Sequence, residues 1–172
     1  GTAAMKRAAA LHFSRDLGIE TSPERIVVSA GGKQAIFHAI LATVSEGEEV
    51  IVPAPWWVSY PEIVRFAGGT VVPLITHASH GFRFTPGDLE ALIGPRTQWL
   101  LLNSPGNPTG AVMPEERKKR LVQLLAEREV PLIEDDIYGD LAHSMPRPKA
   151  AKSYDRKGLV MLQVALSFLL LF

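Results

Sequence analysis

Residues 97–110 read TQWLLLNSPGNPTG, so an apolar run leads directly into two asparagines, two glycines and two prolines. The run 97–102 is typical of a strand buried on both faces of a sheet. A turn alone needs far fewer constrained residues than the eight that follow. Asn107 lies between Gly106 and Pro108, which would hold its amide in a fixed direction, suited to one ligand oxygen. The alternative is a rigid loop in which the asparagine bonds to its own backbone.

Apolar strands and amphipathic helices alternate along the whole chain. Strands are predicted at 25–29, 48–53, 70–75, 97–102, 130–135 and 158–162, and helices at 2–17, 30–44, 58–69, 85–94 and 113–129. This alternation predicts an α/β fold, in which helices cover both faces of a mostly parallel sheet as three α/β/α layers. Ligands of such sheets bind beyond the carboxyl ends of the strands, so the residues that follow each strand are the candidate site.

The composition excludes several classes of function. Eighteen basic residues balance eighteen acidic ones, so no global field steers the chain toward nucleic acid or an anionic membrane, and we expect neither as a partner. The chain has no cysteine, which excludes disulfides, thiolate metal sites and cysteine nucleophiles and fits the cytoplasm. The apolar C-terminal stretch GLVMLQVALSFLLLF falls short of the roughly 20 residues that a membrane-spanning helix needs.

Two of the remaining strand ends carry glycines or aromatic residues. Gly31 and Gly32 precede Lys33 at a helix start, where backbone N–H groups attract phosphate; the alternative is a simple strand-to-helix turn. Trp56 and Trp57 follow the next strand, and either could pack in the core or stack on a flat ring.

A further strand ends in three consecutive acids, Glu134, Asp135 and Asp136, with Tyr138 close behind. Adjacent carboxylates repel one another and lose hydration when buried. They would suit a divalent metal, or one of them would pair with a buried cation at a site that Tyr138 also reaches. The remaining alternative is a solvated acidic turn.

The strand ends SAGGKQAIF, PAPWWVSYPE, NSPGNPTGAV and EDDIY, with FAGG between them, resemble the class I/II pyridoxal-phosphate-dependent aminotransferases of fold type I. The resemblance extends to about residue 162 and is strongest to the bacterial aspartate aminotransferases. It implies that residues 1–162 are part of the large, cofactor-binding domain of a homodimeric enzyme. That enzyme would transfer an amino group between an amino acid and a 2-oxo acid.

The resemblance also implies a site for pyridoxal 5'-phosphate. The first three matching residues would hold the phosphate through backbone N–H groups, and the tryptophan would stack on the ring. The asparagine and the tyrosine would contact the phenolic oxygen, and the aspartate would pair with the pyridine nitrogen. These residues are Gly31, Gly32, Lys33, Trp57, Asn107, Asp135 and Tyr138.

The chain departs from the family in one essential group. The resemblance implies a lysine that forms a Schiff base with the cofactor, shortly after the strand at 158–162. The chain reads QVALSFLLLF there, and no lysine follows Lys157. We therefore expect this chain to be inactive as it stands. We interpret residues 163–172 as an aberrant or truncated apolar tail on a piece of a longer protein.

Three other interpretations remain open at the level of sequence. The chain could be the aminotransferase-like, effector-binding domain of a transcription regulator, which the segment IEDDIYGDL also resembles. It could be a metal-dependent, phosphate-binding α/β enzyme built on the glycine turn and the three acids, although the tryptophans and the NSPGNPTG loop would then be unexplained. It could also be a truncated gene product without a function.

Overall fold

The computed structural model describes residues 1–138, 162 and 163, and its centre is a sheet of five strands. The strands are β1 (Glu49–Ala54), β2 (Thr70–Ile75), β3 (Thr97–Asn103), β4 (Leu132–Asp135) and β5 (Leu162–Gln163). Their order is β2-β1-β3-β4-β5, and every neighbouring pair is parallel. The prediction of a mostly parallel sheet is confirmed.

In the described part of the chain, five α-helices accompany the sheet: α1 (Ala3–His12), α2 (Gly32–Thr43), α3 (Ser59–Phe66), α4 (Pro86–Glu90) and α5 (Glu115–Glu127). The start of α4 follows from local chemistry, because Thr85 and Asp88 form a capping box that satisfies two backbone N–H groups. A π-helical turn, Phe13–Leu17, continues α1 where the sequence predicts regular helix. Across residues 1–138, 162 and 163, no helix combines the length and the apolar composition that crossing a membrane requires.

Side chains alternate across β3, and this alternation separates two hydrophobic cores. Trp99 and Leu101 pack into a cluster that contains buried residues of α2 and α3. Leu100 and Leu102 point the other way, into a cluster with buried residues of α4 and α5. The sheet therefore lies between two helical layers, as the predicted three-layer architecture requires.

The prediction of a strand at 25–29 is wrong. Pro23–Arg25 is a 3₁₀ turn, and residues 26–29 pair with no strand among the described residues. Ile26 has the extended backbone of a strand, but it packs with Ala9 and Phe13 in a small separate cluster. Apolar β-branched residues favour an extended backbone, but a ladder also needs a neighbouring strand in register. Of the strand predicted at 158–162, only Leu162 is described, within β5. Gln163, the first residue of the predicted tail 163–172, belongs to the same strand. Residues 158–161 and 164–172 lie outside the described residues.

Glu134 is the most deeply buried charged side chain of the described part, at 1% exposure. It lies on the face of β4 that carries Leu132, opposite α5, and Lys118 of α5 donates to its Oε1. Burial raises the pKa of the Glu134 carboxyl, and the Lys118 ammonium counteracts that rise. The pair thus joins α5 to the sheet, and removing either partner alone would destabilise the fold.

We expect Lys118→Met to destabilise the protein by about 3 kcal/mol, because it leaves Glu134 buried without a partner. The double change Lys118→Met with Glu134→Gln should recover part of that loss. Lys119→Met is the matched control, since Lys119 pairs with Glu116 in solvent on the next position of the same helix. Urea unfolding measures all three; equal losses from the two lysine substitutions would contradict the prediction.

Candidate functional site

The carboxyl ends of β1, β3 and β4 lie together, because parallel neighbours end at the same edge of the sheet. The ladder between β3 and β4 pairs Asn103 with Asp135 as its last rung. Both residues lie on the face of the sheet that α2 and α3 cover. Each comes two residues after a member of that core, Leu101 or Ile133, and residues two apart on a strand share a face. The candidate site is built around this rung.

Asp135 is 4% exposed, and two donors fix its carboxylate. The buried hydroxyl of Tyr60 donates to Oδ2 at 2.6 Å, and the backbone N–H of Ile137 donates to Oδ1 at 3.3 Å. Burial raises the pKa of the Asp135 carboxyl, and the bond from Tyr60 opposes that rise. Burial and the nearby Asp135 charge in turn raise the pKa of Tyr60, so its hydroxyl stays protonated. Tyr60 was not among the predicted site residues, because a tyrosine at this place in a helix is typical of a core residue.

The predicted Asn107 and Tyr138 meet in the structure. The side-chain amide of Asn107 donates to the Tyr138 hydroxyl at 3.2 Å. The loop that carries Asn107 closes on itself, because Gly106 N–H donates to Ala111 O at 2.9 Å and Gly110 N–H donates to Gly106 O at 2.7 Å. The constrained backbone predicted from the glycines and prolines is therefore present, and the Asn107 amide points to another site residue.

Trp57 lies beside the same cluster. Its ring meets that of Tyr60 edge-on, with 5.4 Å between centroids and 86° between planes. The Lys33 ammonium lies 4.8 Å from the centroid of the Trp57 ring, so the start of α2 and the tryptophan are neighbours. The Trp57 ring is thus joined through Tyr60 to the Asp135 carboxylate, and directly to Lys33.

Gly31, Gly32 and Lys33 lie at the start of α2. Gly31 is the N-terminal cap with φ 102° and ψ 160°, a conformation that favours glycine. Gly32 is the first residue of the helix and is buried, and Lys33 follows it. The first N–H groups of a helix have no partner within the helix, and they carry its positive dipole end. The three predicted phosphate-binding residues are therefore contiguous at one helix end.

A cleft adjoins this cluster on the side of the 104–113 loop. Tyr60, Asn103 and Asn107 line it together with Trp56, Phe82 and Arg83. Of the two tryptophans it is Trp56 that lines the cleft, while Trp57 faces Lys33. The cleft and the surface around Trp57 thus share Tyr60.

The three consecutive acids do not form a metal site. Glu134 points to the layer of α5 and Asp135 to the layer of Tyr60, because neighbouring residues of a strand alternate between faces. Within the described part of the chain, no three His, Asp or Glu side chains are close enough together to hold a metal ion. The geometry therefore gives no support to the metal-dependent alternative.

We expect Tyr60→Phe to reduce stability at neutral pH by about 1.5–3 kcal/mol, the contribution of a hydrogen bond to a charged group. The folded pKa of Asp135 lies above the ordinary 3.8, and losing the donor raises it further. The loss should therefore shrink as pH falls through the folded pKa values of Asp135 in the two proteins, because below them Asp135 is protonated in the folded state of both.

Urea unfolding across that pH range measures the effect, with Tyr138→Phe as the matched control. Tyr138 accepts its described side-chain bond from Asn107, so its loss should vary little with pH. A Tyr60→Phe loss that stayed constant with pH would show that the bond does not act on the ionised carboxylate.

Comparison with known proteins identifies the family. The model for class I and II aminotransferases matches residues 1–166. The aspartate/prephenate aminotransferase of Cereibacter sphaeroides is 43% identical over 142 residues, which are 82% of this chain and 36% of that protein. The enzyme of the same name from Thermus thermophilus is 45% identical over 143 residues, 83% of this chain and 37% of that protein.

Solved structures agree with these relatives. The aspartate aminotransferase from Thermus thermophilus with maleate matches with a TM-score of 0.80 and 43% identity, over 87% of this chain and 38% of that chain. The one from Rhizobium meliloti matches with a TM-score of 0.83 and 39% identity, over 87% and 38%. The chain spans a little over a third of the length of the curated relatives it matches. Since the family model covers nearly the whole chain and the fold agrees, the chain belongs to the class I and II aminotransferases.

Proposed function

We propose that this chain is the cofactor-binding part of a pyridoxal-phosphate-dependent aminotransferase. The parent reaction would transfer an amino group between an amino acid and a 2-oxo acid, in a cytoplasmic homodimer. The observation that carries the proposal is the connected cluster of Tyr60, Asp135, Asn103, Asn107 and Tyr138 at the carboxyl ends of the strands. It contains one buried carboxylate, two amides and two phenols, beside an indole ring.

The chemistry of these groups fits the cofactor part by part. A buried carboxylate fits a protonated pyridine nitrogen, and an amide with a phenol fits the anionic phenolic oxygen. The helix start at Gly31, Gly32 and Lys33 fits a phosphate, and the Trp57 ring fits a flat heterocycle. The ring nitrogen, the phenolic oxygen, the ring face and the phosphate thus each have a matching group of this chain.

The cofactor, when bound, supplies an electron sink for the carbanion that forms at the substrate's α-carbon. Asp135 supports this role by holding a proton on the ring nitrogen, because its carboxylate is buried and favours an opposite charge nearby. Tyr60 keeps that carboxylate ionised and oriented. Asn107 and Tyr138 would hold the phenolic oxygen, and the start of α2 would anchor the phosphate.

The 172-residue chain carries no lysine after Lys157. We therefore propose that it binds the cofactor non-covalently and does not turn over by itself. The names of the relatives support an amino dicarboxylate such as aspartate as the parent substrate. Those names also favour an enzyme over the effector-binding domain of a transcription regulator.

Binding of pyridoxamine 5'-phosphate tests the proposal, because this form of the cofactor needs no lysine. We expect saturable binding to the full chain, measured by equilibrium dialysis, and about 10-fold weaker binding by Trp57→Leu, since an aromatic pair contributes up to about 1.5 kcal/mol. Trp56→Leu is the matched control and should bind nearly normally. The reverse order would place the ring in the cleft on the Trp56 side. No saturable binding would refute the proposal.

Asp135→Asn should change the chemistry of the bound cofactor more than its affinity. We expect the pKa of the ring nitrogen in bound pyridoxamine phosphate to fall by about 2 units, because an opposite charge at close range is lost. Absorbance titration of the complex measures this, with Asp136→Asn as the control for a general loss of negative charge. Equal shifts in both variants would contradict the pairing of Asp135 with the ring.

Borohydride treatment of the chain mixed with pyridoxal phosphate tests the expected absence of a Schiff base. Mass spectrometry of the digested product should find no lysine that is modified in preference to the others. Preferential reduction onto one lysine, for example Lys33 beside Trp57, would show that the chain does form a specific Schiff base.

A further inference from the structure

We propose that Asn103 is a positioning residue that fixes Asp135 and Asn107 relative to each other. The inference rests on the proposed function and deepens it, because these are the two residues assigned to the ring nitrogen and the phenolic oxygen. Asn103 itself is assigned no contact with the cofactor. It acts through the backbones of the two residues that have one.

Both ends of the Asn103 side chain are engaged, and each holds a different segment. Its Nδ2 donates to the backbone carbonyl of Asp135 at 2.8 Å, across the last rung of the β3–β4 ladder. Its Oδ1 accepts from the backbone N–H of Asn107 at 2.7 Å. One planar amide therefore joins the end of β4 to the loop that follows β3.

This link lies where regular pairing ends. Asp135 is the last residue of β4 and Asn103 the last of β3, so the ladder itself provides no register for Asn107, four residues further on. A pyridine ring is rigid, and the spacing of its nitrogen and its phenolic oxygen is fixed. The protein must therefore hold Asp135 and Asn107 at a matching spacing, since small errors in such positions cost binding and catalysis.

The residue type is specific to this task. A primary amide carries N–H donors and a carbonyl acceptor on one planar group. It can therefore donate to the Asp135 carbonyl and accept from the Asn107 N–H at the same time. Alanine or leucine provides neither, and serine is too short to span both backbones. Asn103 was not predicted as a site residue because its position at a strand end before a proline-rich loop is typical of a turn.

The test compares Asn103→Ala with Gln98→Ala in the full chain. Gln98 lies on the same strand, and its Nε2 donates to the backbone carbonyl of Thr43 at 3.1 Å, at the edge remote from the site. Both substitutions remove a side-chain amide that bonds to a backbone carbonyl, so Gln98→Ala controls for the loss of such a bond away from the site. Binding of pyridoxamine 5'-phosphate and the pH dependence of its bound absorbance are measured alongside thermal unfolding.

We expect Asn103→Ala to weaken pyridoxamine phosphate binding about 10-fold, the effect of losing a typical hydrogen bond or two. The bound absorbance of this variant should also titrate at a different pH, because Asp135 and Asn107 no longer meet the ring together. Gln98→Ala should bind normally and keep the normal titration. Backbone exchange at the Asn107 N–H should be faster in Asn103→Ala alone. A structural role without a link to the site would move thermal unfolding but not the titration.

Normal binding and an unchanged titration in Asn103→Ala would overturn the inference and leave the proposed function intact. Equal effects of the two alanine substitutions would overturn it as well. If Asn103→Ala does not fold, Asn103→Ser is used in its place with the same expected and contrary results. Absence of saturable binding by the unsubstituted chain would overturn the proposed function, and the inference with it.

Discussion

The last rung of the ladder between β3 and β4 is the constraint on which the site depends. Parallel pairing sets Asn103 opposite Asp135, and the strand alternation turns both toward the layer of α2 and α3. Tyr60 reaches Asp135 because α3 packs on that face, and Asn107 follows because the loop begins at Asn103. A shift of one residue in this register would turn Asp135 toward α5 and bury Glu134 against Tyr60. The register of the sheet and the composition of the site are thus one property.

The two adjacent carboxylates show how one strand serves two purposes. Glu134 is paired with Lys118 of α5, so its charge is balanced by a residue of the protein itself. Asp135 has neutral donors, the Tyr60 hydroxyl and the Ile137 N–H, among its described hydrogen bonds. A buried carboxylate held by neutral donors favours a positively charged group placed beside it. This difference between neighbours gives the family assignment a physical basis at this position.

Most of the fold was predictable from the sequence, and the reason is local. A short apolar run followed by turn residues, such as 97–102, is typical of a buried strand, and the capping box at Thr85 marks a helix start from four residues. The segment 25–29 failed because pairing depends on a distant neighbour that its own residues do not specify. In the site, Asp135, Asn107 and Tyr138 stood out by their position after strands. Tyr60 and Asn103 did not, because only the tertiary fold brings Tyr60, 75 residues away in sequence, to Asp135.

Lys33 would compete with any flat ring for one face of the Trp57 indole. The ammonium covers one face of the indole, and such a contact at an exposed side chain contributes about 0.5–1 kcal/mol. A flat ring can stack on that face only after the ammonium has moved aside. The binding free energy of an aromatic ligand at that face is therefore the free energy of stacking less that of the displaced Lys33 contact. Two rings of equal size but different charge should consequently differ in affinity, because they interact differently with the Lys33 ammonium that they displace.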